Sequence, residues 1–387
     1  MDIIHEKKIY LYILLFTSHH VDLSYNLNMI MPKIINFSAG PSILPKTVFE
    51  QASQAVLDLN GTGLSILEIS HRSNYFEPIL HEAHDLVKEL LGLNDEYEVL
   101  FLAGGASTQF FMTVMNLLPE GKKAAYVDTG VWSSKAITEA KMLGSIDVIA
   151  SSKDKNYSYI PKGYAISSDY EYLHLTSNNT IYGTQYQSFP DSPISIVCDM
   201  SSDIFSKPIE PQRFGLIYAG AQKNLGPAGV TLVIIRKDML GKVNRTLPTM
   251  LRYETHISNE SMYNTPPVFP IYVSMLTLRW LKALGGLGAM QAINERKAKL
   301  LYDVIDAIPF YKGHSVPQDR SRMNVTFNLE DADLNKEFLA FCEEAGCDGL
   351  KGHKSVGGFR ASIYNAMPEE GVKVLANVMK EFSLKHA

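Results

Sequence analysis

Along the chain, short unbroken apolar runs alternate with longer stretches in which apolar positions recur every three or four residues. The runs at 97–103, 124–128, 146–150, 170–176 and 194–199, and the pair flanking the loop within 216–235, are four to eight residues long and bounded by turn formers. Such runs read as buried strands. Helical spacing appears at 45–59, where Val48, Phe49, Ala52, Ala55, Val56 and Leu59 fall on one face, and at 77–91, 104–115, 271–284 and 289–308. A further helix runs to about residue 144. Beyond 308 the pattern predicts strands at 322–328 and 359–364, a helix at 333–345, and a last helix starting near Glu369. Strand and helix alternate throughout, which is the signature of an α/β fold.

At 387 residues the chain suits two domains. The best boundary is the glycine-rich stretch 284–289. A net charge of −5 with no long basic block argues against nucleic acid or an anionic membrane as partner and leaves small anionic molecules. Three cysteines, Cys198, Cys342 and Cys347, without Cys-x-x-Cys spacing exclude a disulfide framework and a structural zinc site; no metal is expected, and the compartment is the reducing cytoplasm. The first 30 residues stand apart. Lys7 and Lys8 precede the apolar run 9–16, which is shorter than the roughly 20 residues a membrane span needs and is followed by no cleavage site. We expect residues 1–30 to be a leader that the fold does not need, with Met29 or Met31 as the functional start.

The segment 216–235 carries the first candidate chemistry. Lys223 lies in a glycine-rich loop between two apolar runs, at the mouth of the expected sheet. An ammonium in a half-buried loop is costly unless paired or covalently modified, so two readings stand: a surface lysine in a turn, or a Schiff-base lysine. At 104–108, GGAST joins a strand to a helix, with Ser107 or Thr108 in the first turn. Unpaired N–H groups at such a helix start suit a phosphate, although an ordinary strand-to-helix turn has the same pattern. Asp199 ends an apolar strand, either as a turn cap or at the sheet edge where α/β folds bind ligands. His81 and His84, three apart on one helix, read as a solvated face. The turn at 105–108, Trp132, Asp199 and Lys223 together form the set that a pyridoxal 5'-phosphate site requires.

The chain from about residue 34 onward resembles the phosphoserine aminotransferases, a family of class V, fold type I, pyridoxal-phosphate-dependent enzymes. The motifs are YAGAQKNLGPAG at 218–229, NTPP at 264–267, KGH at 351–353 and GGFRASIYNAM at 357–367. The resemblance implies a large cofactor-binding domain, residues 31–284, with a mostly parallel mixed sheet and an N-terminal segment that contributes to the substrate site. A smaller C-terminal α/β domain would span 285–387. It implies Lys223 as the Schiff-base lysine, Asp199 as partner of the pyridinium nitrogen and Trp132 as the stacking aromatic. Ala106, Ser107, Thr180 and Gln222 would line the cofactor. Asn264 and Thr265 would reach the cofactor phosphate of the other subunit in a homodimer with shared sites. Arg72, with His353 and Lys354 from the partner subunit, would hold the distal anion of the substrate, and Arg360 its α-carboxylate. Ala39 and Lys354 depart from the family pattern, which often has serine at the first position and usually arginine at the second. The implied reaction carries the amino group of L-glutamate to 3-phosphohydroxypyruvate, with the related 4-phosphohydroxythreonine reaction of vitamin B6 synthesis left open. Alternatives are an alanine:glyoxylate aminotransferase, a cysteine desulfurase, which needs a cysteine on a mobile loop, or a cofactor-binding scaffold without catalysis, which would lack Arg72 and Arg360.

Overall fold

The computed structural model describes residues 34–386, so the expected leader at 1–30, with Met29 and Met31, lies outside the described residues. In chain order the elements are β1 (Ile35–Asn36), α1 (Lys46–Leu57), α2 (Glu77–Leu91), β2 (Tyr97–Leu102), α3 (Gly105–Leu117), β3 (Lys123–Asp128), α4 (Val131–Lys141), β4 (Ser145–Ser151), β5 (Tyr170–Thr176), β6 (Asn178–Asn179), β7 (Thr184–Gln185) and β8 (Ile196–Asp199). There follow β9 (Phe214–Gly220), β10 (Thr231–Arg236), α5 (Tyr253–Ser258), α6 (Val268–Ala283), α7 (Gly286–Ala307), β11 (Tyr311–Gly313), β12 (Asn324–Leu329), α8 (Asn335–Glu344), β13 (Cys347–Asp348), β14 (Phe359–Ser362) and α9 (Glu369–Lys385).

Seven strands make the central sheet in the order β2-β10-β9-β8-β5-β3-β4. β10 runs antiparallel to both neighbours and the other adjacent pairs are parallel. The apolar runs are continuous because both faces are covered. Along β9, Ile217 and Ala219 enter a core shared with α1, α2 and α6, whereas Leu216 and Tyr218 enter the opposite core shared with α3 and α4. Along β10, Leu232 and Ile234 take the first face and Val233 and Ile235 the second. A third core gathers α7, α8, α9 and the sheet β11-β12-β14. β1 pairs in parallel with β13, and Phe37 is buried in this third core. Among the described residues no helix is long and apolar enough to cross a membrane.

Several expectations change. Phe49 is 52% exposed, because α1 ends at Leu57 and its buried stripe is Val48, Ala52 and Ala55, which leaves Phe49 to one side. The pair on α2 is not a solvated face. His81 meets Glu260 at 3.0 Å, but His84 stacks on Phe101 with ring centroids 5.3 Å apart, and burial pushes its imidazole down to about 4. α7 starts at Gly286 rather than 289, because Gly285 and Gly286, at φ 106° and 72°, reverse the chain directly into the helix.

Candidate active site

The parallel strands end on one edge: β3 at Asp128, β5 at Thr176, β8 at Asp199 and β9 at Gly220. That edge is where open α/β sheets receive ligands. A cavity of about 350 Å³ opens there, walled by residues from both ends of the chain.

Lys223 stands in the turn between β9 and β10 and is half-buried on the cavity wall. The turn is closed by the Lys223 and Gly226 amides, which donate to the Ala221 carbonyl at 2.7 and 2.8 Å. A strap from the N-terminal segment lies over it. The Ser42 amide donates to the Gln222 carbonyl at 2.9 Å, and the Ser42 hydroxyl to the Lys223 carbonyl at 2.5 Å. Burial pushes the Lys223 amine down to about 8; Asp199 opposes that fall and Arg360 adds to it.

Asp199 also lines the cavity and is buried, and burial raises its carboxyl above the usual range. The Ser201 amide donates to Asp199 Oδ1 at 2.9 Å, so the residue caps its turn and faces the cavity at once. At the start of α3, Gly104 and Gly105 have φ of 100° and 69°. Gly105, Ala106 and Ser107 line the cavity, whereas the Thr108 hydroxyl turns back to the Gly104 carbonyl at 2.8 Å. Trp132 is set by the α4 start, where Ser133 Oγ accepts from the Thr129 and Gly130 amides at 2.8 and 2.9 Å. Its indole N–H donates to Thr180 Oγ1 at 3.1 Å.

From the third core come Arg360, on β14, and His353. Arg360 donates through Nη1 to the Thr180 carbonyl at 3.3 Å, while its buried Nε has no partner. Burial lowers the His353 imidazole first, and the charges of Arg360 and Lys354 lower it further.

One cavity thus brings together Ala106, Ser107, Trp132, Thr180, Asp199, Gln222, Lys223, His353 and Arg360. His353 reaches the cavity of its own chain, where the resemblance implied a partner's. Arg72, Lys354, Asn264 and Thr265 are exposed and do not line it. Asn264 lines a second cavity of about 230 Å³ with Phe101, Gly104 and Thr108, on the other side of the glycine turn. Ala39, singled out as a departure from the family pattern, lines the wall, and sequence reasoning missed Gly40, Thr176, Asn178, Ser201 and Ser202 there. Thr176 ends a parallel strand as Asp199 does, so the same edge rule would have found it.

Comparison with known proteins identifies the family. The family model for class V aminotransferases matches residues 34–375. A phosphoserine aminotransferase of Flavobacterium johnsoniae is 58% identical over 351 residues, 90% of this chain and 99% of the relative. The chain belongs to the phosphoserine aminotransferases of class V. Among solved structures, the phosphoserine aminotransferase of Bacillus circulans subsp. alkalophilus superposes with a TM-score of 0.89 at 48% identity, covering 92% of this chain and 99% of that one. The pyridoxal-phosphate-bound phosphoserine aminotransferase of Trichomonas vaginalis gives 0.86 at 38%, covering 90% and 100%. Family membership implies use of pyridoxal phosphate, and the residues present fit the group. The cavity offers a glycine-started helix for a phosphate, a buried carboxylate, an indole, an amine of lowered basicity and an unpartnered guanidinium N–H.

Proposed function

We propose that this chain is a phosphoserine transaminase, moving the amino group of L-glutamate to 3-phosphohydroxypyruvate to give O-phospho-L-serine and 2-oxoglutarate. The observation that carries the reading is the 58% identity across 99% of a curated phosphoserine aminotransferase, in a chain whose Lys223, Asp199 and Arg360 share one cavity. Pyridoxal phosphate, when bound, supplies a conjugated ring that accepts electron density from the substrate Cα and carries the amino group between substrates. Lys223 would hold its aldehyde and, once released, take and return the Cα proton through Nζ; with a value of about 8 the amine is neutral often enough near neutral pH to do so. Asp199 would keep a positive charge on the ring nitrogen, the first turn of α3 would receive the phosphate, and Trp132 would cover a ring face. Arg360 would fork onto the α-carboxylate, and His353 would face the distal anion.

Two identical subunits would complete the site. Support comes from Asn264 and Thr265, exposed beyond the glycine turn, and from Arg72 and Lys354, which are exposed and do not line the cavity that holds Lys223. The division into 31–284 and 285–387 is supported by separate cores, with residues 35–37 joined to the second unit. All three cysteines are buried free thiols, which supports a cytoplasmic setting. It also disfavours a desulfurase, since burial pushes the Cys347 thiol up to about 11 and raises those of Cys342 and Cys198. The test is a coupled assay with phosphoserine or alanine as amino donor, joined to borohydride reduction and peptide mapping. Phosphoserine should be strongly preferred and Lys223 labelled; label on another lysine sinks the assignment.

A further inference from the structure

Lys297, in the middle of α7, is 0% exposed and forms no ion pair among the described residues. Its Nζ donates instead to backbone carbonyls of the turn that follows β14: Tyr364 at 2.7 Å, Ile363 at 3.0 Å, Met367 at 3.1 Å and Asn365 at 3.4 Å. Taking an ammonium out of water costs several kcal/mol, and a methionine would fill the same space without that cost. Packing alone therefore does not account for the residue. The Tyr364 carbonyl also accepts the Met367 amide at 2.9 Å, and the donors of one amine serve the others, the contact to the Asn365 carbonyl at 3.4 Å being the loosest.

The turn reaches three parts of the candidate site. Tyr364 donates its hydroxyl to the Ala39 carbonyl, on the cavity wall, at 2.8 Å. The Asn365 amide donates to Asn224 Oδ1 at 3.0 Å, next in sequence to Lys223. The turn also continues the strand that carries Arg360. Asn294, one turn earlier on α7, holds Asn365 Oδ1 at 2.8 Å and so fastens the turn to the same helix.

We propose that Lys297 is a positioning residue, a tethered amine whose N–H donors hold the turn 363–367 and so set the spacing between Arg360 and the Lys223 loop. The kinetic arm of its test rests on the transaminase reading above. Lys297→Met is compared with Leu301→Ala, which opens a gap in the same helix and core but leaves the hydrogen bonds from Lys297 Nζ to the turn in place. With cofactor in excess and well below unfolding, Lys297→Met should raise KM for L-glutamate at least tenfold and lower kcat, whereas Leu301→Ala should change neither more than twofold. In cofactor-free protein, hydrogen exchange in peptides covering 39–42 and 222–225 should accelerate at least tenfold in Lys297→Met and stay at the parent rate in Leu301→Ala. Ammonium chloride, but not sodium chloride at equal ionic strength, should bring KM of Lys297→Ala back towards the parent value. A folded Lys297→Met with parental KM and exchange, a Leu301→Ala that reproduces its shifts, or a Lys297→Ala indifferent to ammonium overturns the proposal. Should Lys297→Met not fold, Asn224→Ala removes the link from turn to lysine loop and should raise the same KM; a parental value there overturns it as well. Exchange needs no turnover, so a parent without transaminase activity sinks the functional reading alone and leaves this one to be judged by exchange.

Discussion

In cofactor-free protein the Lys223 amine should titrate near pH 8 rather than at its ordinary 10.5, with Asp199 and Asp203 raising it and Arg360 lowering it. Burial is the largest cause of the fall. Bringing the value from 10.5 to about 8 disfavours the ammonium by about 3 kcal/mol, at roughly 1.36 kcal/mol per pH unit. Asp199 opposes the fall, so Asp199→Asn should carry the midpoint below 8; Arg360 adds to it, so Arg360→Met should carry it above. Reductive methylation by formaldehyde and cyanoborohydride, followed at Lys223 by peptide mass spectrometry across the alkaline range, reads the midpoint directly. A parent midpoint at 10 or above, or two variants that shift the same way, refutes the reasoning. Stability gives a second reading. Between about 8 and 10.5 the folded chain binds fewer protons at this amine than the unfolded chain, so its contribution to stability rises with pH through that window. Below about 8 the full penalty of about 3 kcal/mol is present. Lys223→Met should therefore unfold at a higher temperature than the parent at pH 7 and lose that advantage above 10.5.

Mixing Lys223→Ala chains with chains carrying Asn264→Ala and Thr265→Ala should restore activity in re-formed dimers; recovery of none removes the support for shared sites. His353→Ala should raise KM for phosphoserine more than Lys354→Ala does, because His353 lines the cavity and Lys354 is exposed beside it. Lys354→Arg should change kcat/KM by less than about tenfold, since the charge is kept and only the fork geometry is new. Gly352→Ala places a Cβ against the Gly357 carbonyl oxygen, backbone that cannot step aside. We expect a loss of about 1–3 kcal/mol in substrate affinity by distortion of the loop bearing His353, with cofactor absorbance unchanged; an unaltered KM for phosphoserine tells against it.

The inner strands of the central sheet were legible because burial on both faces keeps their runs mostly apolar, as in β9 and β10, and the limits of β5 and α2 follow from pattern alone. Lys223 and Asp199 were legible for the same reason: each is a charge at the end of such a run. Arg360 and His353 were not. They reach the cavity from a separate sheet, and as isolated residues they look like any surface cation, so only motif resemblance raised them. Periodicity also misplaced His84 and Phe49, since it gives the faces of a helix but not which polar side chain a neighbour covers. Lys297 lies deepest out of reach, because its partners are carbonyl oxygens, which every residue possesses and no sequence distinguishes.

The pairing of β1 with β13, with the bond from Tyr364 to Ala39 across a separation of 325 residues, sets an order of events during synthesis. Ala39 and Gly40 leave the ribosome long before Tyr364, whose hydroxyl fixes the Ala39 carbonyl. At about 5–20 residues per second the interval is roughly 16–65 s. The central sheet can assemble in that time from strands already released, with its carboxyl edge uncovered. A nascent chain therefore has the carboxylate, the amine and the helix start in place before the strap that covers the Lys223 turn is anchored. The stretch 347–364 acts as the fastening that converts an open cleft into a finished one, so stalls before or within it should yield chains with a folded sheet and no closed site.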